Sequence, residues 1–388
     1  MIYLLLVEWL GEALRERGLY APVRVLEQLQ FRALLASGLA FALVLLFGRR
    51  TIRLLVRMKI GDTGATDADA LRAHTSSKSN TPTMGGVLIV GAILASTILL
   101  ADVTQFYVLL GVVVVVWLAV LGGFDDYLKL TAQQRGTGSR QGLYAWEKLI
   151  FQLGVGLLVG WFVFRQGTPP EDVRHALNLP FQKTYDGPGQ LNDALVFLGA
   201  PAFIILATLM VAGMSNAVNI TDGMDGLAGG ISGIVGIGVV VLAMIAGDQA
   251  MAQYMLVPYV PGSGELAVLA GATAGACFGF LWWNCSPAQV FMGDTGALSL
   301  GGIIGYVGVV TRQELVVLLM SGVFLLEIGS VVLQVGYFKA TGGRRIFRVA
   351  PYHHHLHLGG WPEQQVVARL WIISVLLVVV ALASLKLR

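Results

Sequence analysis

The chain has 388 residues, 56% hydrophobic and only 13% charged, with a mean hydropathy of +0.73. Soluble globular proteins carry about a quarter charged residues, so this composition excludes an ordinary water-soluble domain. A formal net charge of +3 is too small to argue for nucleic acid. Apolar stretches near the ~20 residues needed to cross a bilayer recur along the whole length, which predicts an all-α, polytopic integral membrane protein.

Met1 to Glu8 lacks a basic leader region and its apolar run is short, so it reads as an interfacial helix rather than a cleaved signal peptide. Ten spans are then predicted, at roughly 31–48, 84–101, 106–124, 149–165, 194–214, 227–247, 266–283, 297–311, 315–338 and 366–387. Nine is the alternative count, because the first, fourth and eighth are short or interrupted by polar residues. No internal repeat or low-complexity linker is visible, and one integral domain over residues 1–388 is the simplest organisation. The loop after the first span carries Arg49, Arg50, Arg53, Arg57, Lys59, Arg72 and Lys78, and the odd-numbered loops together hold most of the 26 Lys and Arg residues. Positive charge marks the cytoplasmic side, which predicts that both termini face outward, into the periplasm. Two outward loops, 166–193 and 248–265, are rich in turn formers such as Pro169-Pro170 and Pro261-Gly262 and read as capping structure without chemistry. Cys277 and Cys285 match no common zinc or redox spacing and read as two packed thiols.

Five polar segments stand out at span ends, all in the predicted cytoplasmic set. In the first, His74 to Gly86, Lys78 and the hydroxyls of Thr81 and Thr83 suit a phosphate or uridine; the alternative for Lys78 is a plain membrane anchor. In Leu121-Gly-Gly-Phe-Asp125-Asp126-Tyr-Leu-Lys129, adjacent helical residues point ~100° apart, so the two carboxylates are expected to do different jobs. Lys129 shares a flank with both, which fits either a phosphate holder or a simple intrahelical ion pair. Asn216, Asn219, Asp222 and Asp225 recur every three residues and form a polar stripe on a helix entering a loop. Glycine capping would explain Gly223 and Gly226 but not four polar side chains beside a span. In Asn284 to Gly296, Phe291 could stack on a planar base, and Asp294 could coordinate Mg2+ or merely cap the following helix. Finally, four of the six histidines fall in Pro351-Tyr-His353-His354-His355-Leu-His357. Consecutive histidines cannot all ligate one metal from a regular helix, so phosphate or sugar contact is favoured over zinc.

Together these segments resemble the phospho-N-acetylmuramoyl-pentapeptide transferase (MraY) family, within the polyprenyl-phosphate N-acetylhexosamine 1-phosphate transferase superfamily. The matching pieces are Thr81-Pro-Thr-Met-Gly-Gly86, Phe124-Asp-Asp-Tyr-Leu-Lys129, Asn216 to Leu227, Phe291-Met-Gly-Asp-Thr-Gly296 and Pro351-Tyr-His-His-His355, in family order between residues 78 and 361. The resemblance implies transfer of phospho-MurNAc-pentapeptide from its UDP carrier, UDP-MurNAc-pentapeptide, to undecaprenyl phosphate. The products would be lipid I and UMP, made at the cytoplasmic face of a bacterial inner membrane, and a homodimer is expected. It implies further that Asp294 holds Mg2+ against the diphosphate, that Asp125 deprotonates or orients the lipid phosphate, and that Asp126 supports it. Phe291 would stack the uracil. Lys78, Thr83, Asn219, Asp222, Asp225 and Asn284 would hold uridine and diphosphate, while Lys129 and His353, His354 and His355 would counter developing negative charge. A one-step displacement and a two-step route through an aspartyl intermediate both remain open.

The chain departs from the family at Asn80, where Gly is usual, and at His357 and Gly359, in a stretch that usually holds an acid and a Lys. These bear on how that loop grips the sugar-peptide rather than on the reaction class. A sister branch uses UDP-N-acetylglucosamine, and the Pro-x-His-His-His segment favours the muramoyl branch. The rival from another class is a secondary transporter, whose sites lie toward the midplane on paired repeats. Glu327 and Gln334, seven apart within the ninth span, would suit such a path or, more simply, buried hydrogen bonding between helices.

Overall fold

The computed structural model describes residues 1–57, 81–131, 142–167, 172–179, 181–187 and 189–386. Helices follow in the order α1 (Gly11–Glu16), α2 (Leu29–Arg57), α3 (Gly86–Leu100), α4 (Phe106–Thr131), α5 (Ala145–Phe164), α6 (Ala200–Thr221) and α7 (Leu227–Gly247). The second half runs through α8 (Gln249–Met255), α9 (Leu266–Asn284), α10 (Gly293–Val310), α11 (Glu314–Met320), α12 (Gly322–Ala340), α13 (Tyr352–Leu358) and α14 (Glu363–Ser384). Among the described residues, nine helices are long and apolar enough to cross a membrane, so the chain is an all-α polytopic membrane protein. The only strands described are four short pieces between α5 and α6. β1 (Ala176–Leu177) pairs with β4 (Val196–Phe197), and β2 (Tyr185–Gly187) with β3 (Gln190–Leu191), both antiparallel.

Nine of the ten predicted spans are therefore long helices. The exception is 84–101, which appears as the 15-residue α3. At 1.5 Å per residue it reaches only ~22 Å, short of a ~30 Å hydrocarbon core. It starts late because the backbone before it is engaged elsewhere. Phe291 N–H donates to Pro82 O, Gly85 N–H to Phe291 O, and Gly86 N–H to Met292 O, each at 2.8 Å. The predicted 194–214 span likewise begins at Ala200, since Val196 and Phe197 belong to β4 and Pro201 sits in the first helical turn. The ninth span divides into α11 and α12 at Ser321.

The bundle is built around α10, whose apolar window is 94% buried, against 22% for α12 and 33% for α2, α5 and α14. Lipid tails give no hydrophobic drive for helices to associate, so close backbone approach at small residues does the work. A Cβ on Gly301 would lie 2.2 Å from the Met214 carbonyl oxygen, so α6 lies directly on the α10 backbone there. A polar staple fixes the same helices. Asn216 Nδ2 donates to Gln152 Oε1 (2.7 Å), Gln152 Nε2 to Ser215 Oγ (3.2 Å), and Ser215 Oγ to Leu298 O (3.1 Å). Asn216, the first residue of the polar stripe, is thus used between helices.

The described parts of the two turn-rich loops, including 172–179 and 248–265, lie at the opposite end from the acidic segments, as capping structure should; Pro169 and Pro170 lie outside the described residues. Buried Arg312 pairs with Glu314 (2.5 Å) and donates from Nε to Ala176 O (3.1 Å), while Asn178 Nδ2 donates to Gln313 Oε1 (2.8 Å). Buried Arg32 makes a two-pronged pair with Glu265 at 2.7 and 2.5 Å. Both ends of the described chain lie there too: the Met1 ammonium meets the Ile98 and Leu99 carbonyls, and Lys386 Nζ donates to Tyr254 O (3.1 Å). The cysteines differ from expectation. Cys277 is packed inside α9, but Cys285, just past its end, is exposed.

Candidate active site

The site forms where the C-terminal ends of α4, α6 and α9 meet the N-terminal ends of α5 and α10. Its foundation is one close crossing. A Cβ on Gly122 would sit 2.4 Å from the Asp294 carbonyl oxygen, so only glycine lets α4 come against the start of α10. Asp126, one turn later, then reaches the unsatisfied N–H groups that every helix start presents. Its Oδ1 accepts from Asp294 N–H (3.1 Å), and its Oδ2 from Thr295 N–H (3.0 Å) and Thr295 Oγ (2.7 Å). A carboxylate also suits the positive end of the helix dipole. The cap of α10 is therefore Asp126, supplied from another helix, and not Asp294.

Asp125 points elsewhere and has different partners, as the ~100° offset predicts. It is fully buried, and its Oδ1 accepts from Leu143 N–H (2.7 Å). Its Oδ2 lies 2.6 Å from Lys129 Nζ and 2.8 Å from Lys148 Nζ. Asp294 completes a ring, with Oδ1 3.1 Å from Lys129 and Oδ2 2.6 Å from Lys148. Two carboxylates and two ammoniums thus alternate around a closed square. The predicted Lys129–Asp125 ion pair exists, but as one side of that square. Asp125, Asp126 and Asp294 each present an oxygen within 4.8 Å of the others, a buried acidic cluster that could hold a metal ion.

The remaining segments converge on this centre. Gly293, at φ +74°, turns the chain into α10, and a Cβ on it would lie 2.7 Å from Asp126 Oδ2 and 3.1 Å from the Thr83 hydroxyl. Thr83 therefore stands beside the cluster, in the strap whose backbone bonds to Phe291 and Met292. The Phe291 ring is half-buried. Asp222 ends α6, and its pKa is pushed up to about 7 by burial and then by the carboxylates of Asp294, Asp126 and Asp225; the Gly293 N–H works the other way. Asn219 lies one turn before it, half-buried. Asp225 and Asn284 hold protein backbone: Asp225 Oδ2 accepts from Ala288 N–H (3.1 Å), Asn284 Oδ1 from Gly226 N–H (3.0 Å), and Asn284 Nδ2 donates to Val290 O (2.8 Å).

His353 is buried, with its ring against the Asp222–Asp225 turn at Gly223. His354 packs beside it at 4.2 Å between ring centroids. His355 turns to its own loop, accepting from Arg348 N–H (3.1 Å) and stacking on Tyr352. Of the family departures, His357 bonds through Nδ1 to Trp361 O (2.9 Å), and Gly359 closes α13. Lys78 and Asn80 lie outside the described residues. Glu327 makes the buried bond between helices that was expected, its Oε2 meeting His353 Nδ1 of α13 at 3.0 Å, whereas Gln334 bonds the loop before α13, its Oε1 accepting from Phe347 N–H at 2.9 Å.

Lys148, one of the basic residues of the odd-numbered loops, was not among the candidate site residues. A signal was available. Lys148 sits in the first turn of α5, where a cation opposes the helix dipole unless an acid holds it.

The glycosyl transferase family 4 model matches residues 106–312, more than half of the chain. The chain belongs to glycosyl transferase family 4. The phospho-N-acetylmuramoyl-pentapeptide-transferase signature 1 matches residues 78–90, which include Thr83 and the strap against Phe291. This member of glycosyl transferase family 4 is accordingly an MraY-type polyprenyl-phosphate hexosamine-1-phosphate transferase, a phosphosugar transferase of peptidoglycan synthesis.

Proposed function

We propose that the enzyme transfers phospho-MurNAc-pentapeptide from UDP-MurNAc-pentapeptide to undecaprenyl phosphate, releasing UMP and leaving lipid I in the bilayer. The observation that carries this reading is the square of Asp125, Lys129, Asp294 and Lys148 at one end of a membrane bundle. A polyprenyl chain must stay in lipid while its phosphate meets a water-soluble nucleotide, so a charged centre at a span end fits the task. The whole chain acts as one integral-membrane domain, with this end at the cytoplasmic face of the inner membrane and both termini outside.

Phosphoryl transfer asks a protein mainly for positioning and charge neutralisation. The donor set is all hard oxygen, which suits Mg2+. Both Asp126 oxygens are taken by α10 donors, so Asp294, with Asp125 alongside, would hold the ion. Bound there, Mg2+ supplies neutralisation of the diphosphate charge. Asp125 orients or deprotonates the lipid phosphate, and Asp126 keeps α10, and hence Asp294, in place. Lys129, His353 and His354 face the charge that develops on phosphate, and His355 supports their loop. Phe291, Lys78, Thr83, Asn219 and Asp222 hold the uridine and diphosphate, while Asp225 and Asn284 shape the turn that carries them.

Purified enzyme given Mg2+, undecaprenyl phosphate and either UDP-MurNAc-pentapeptide or UDP-N-acetylglucosamine tests the reading. UMP release is expected with the muramoyl donor and only with both metal and lipid present. Release with the glucosamine donor alone would move the enzyme to the sister branch. Near-normal turnover by Asp125→Asn or Asp294→Asn would remove that residue from the mechanism.

A further inference from the structure

Glu327 lies within α12 and is fully buried, where an ionised carboxylate is expensive. It needs a partner that justifies the placement. One of its oxygens, Oε2, meets both the His353 N–H (3.2 Å) and the ring Nδ1 (3.0 Å). That N–H belongs to the first turn of α13, which has no intrahelical acceptor. A single carboxylate oxygen thus anchors the backbone and the ring of the same residue. Two helical turns later, Gln334 Oε1 accepts from Ile346 N–H (3.1 Å) and Phe347 N–H (2.9 Å). The same face of α12 therefore grips the histidine loop at both ends.

The consequence is at the other ring nitrogen. A carboxylate accepting from Nδ1–H keeps the proton there and makes Nε2 the open atom of the ring. Nε2 is buried and has no hydrogen-bond partner among the described residues. Buried polar atoms are nearly always satisfied, so an orphan calls for an incoming group. It faces the turn between Asp222 and Asp225: a Cβ on Gly223 would fall 2.4 Å from it.

We propose that Glu327 is a positioning residue, which acts through His353 by fixing the tautomer and aim that present Nε2 to the phosphate-bearing substrate. The proposal deepens the transferase reading and rests on it for the substrate's identity. Its test uses the full-length enzyme in detergent, with Glu327→Ala, Glu327→Gln, His353→Asn and the double variant Glu327→Ala/His353→Asn. Glu327→Ala is expected to lower kcat for UMP release about 10²-fold, the scale of one general acid–base or orienting group, with KM for the UDP-sugar little changed. Glu327→Gln, which keeps an acceptor oxygen, should recover most of the loss. In the His353→Asn background, Glu327→Ala should cost nothing further.

The second readout is independent of turnover. In 15N-histidine-labelled enzyme without substrate, the ring signals lost in His353→Asn should report a proton on Nδ1, and Glu327→Ala should shift them. An equal loss of kcat from Glu327→Ala with and without His353, or ring signals unchanged by it, would overturn the proposal. A parent enzyme that released no UMP would instead sink the transferase reading, and the ring signals would then decide the pairing alone.

Discussion

Replacing Lys148 with Met removes one corner of the square while keeping an unbranched side chain one atom shorter. Lys148 Nζ stands 2.8 Å from Asp125 and 2.6 Å from Asp294. At an effective dielectric of ~20, each such contact has a gross attraction of about 6 kcal/mol. Desolvation and repulsion from Lys129 cancel much of it, and loss of one partner from a buried pair typically costs about 3–5 kcal/mol. Without divalent ion, Lys148→Met should therefore unfold well below the parent in a detergent thermal melt. A divalent ion entering the parent must displace an ammonium from the carboxylates; in the variant that competition is halved. Mn2+ affinity, read by the EPR signal of free Mn2+, should tighten at least ~10-fold, or about 1.4 kcal/mol. Added Mn2+ should also raise the variant's midpoint more than the parent's. Unchanged or weaker Mn2+ binding in Lys148→Met would show that the ammonium and the metal do not compete for these oxygens.

Three further outcomes follow from the same geometry. Asp126→Ala strips three hydrogen bonds from the start of α10 and should cost roughly 3–5 kcal/mol, with Asp126→Asn intermediate; a parent-like melting midpoint for the Ala variant would refute the capping role. Gly122→Ala should destabilise by about 1–3 kcal/mol through overpacking, whereas Gly123→Ala, whose Cβ would meet only the Thr295 hydroxyl at 3.6 Å, should melt like the parent. Asp222, raised to about 7, keeps in the folded protein a proton that the unfolded chain loses near pH 4. That proton's stabilisation is full below the unfolded value and declines as pH rises toward 7. Asn cannot ionise, so in metal-free melts the advantage of Asp222→Asn over the parent should widen by about 1–2 kcal/mol between roughly pH 5.5 and 8. An advantage independent of pH would refute the shift.

Much of the bundle was legible because bilayer-spanning helices announce themselves by length and apolarity, and the polar segments stood out against them. The late start of α3 was not, because it depends on backbone bonds between Pro82 and Phe291, partners from opposite halves of the chain. Adjacent carboxylates at 125 and 126 foretold separate duties through helical geometry alone. Which duty fell to which could be read only once α10 was in place. Lys148 was harder to read because its acids, Asp125 and Asp294, both lie outside its own helix, the second 146 residues away. Asn284 read as a ligand for substrate, and its further bonds to loop backbone at both ends of the amide were not legible, because they depend on how the chain folds around it.

The i,i+4 bond between Asp125 and Lys129 has a bearing on biogenesis. During translation α4 is delivered to the membrane long before α10 exists, since Asp126 meets its partners 168 and 169 residues further on. For that interval Asp125 carries its own counter-ion within the same helix, which lowers the cost of leaving it at the lipid boundary. Asp126 finds its hydrogen-bond donors only at the start of α10, so the arrival of α10 is the event that locks the inserted helix into the finished enzyme.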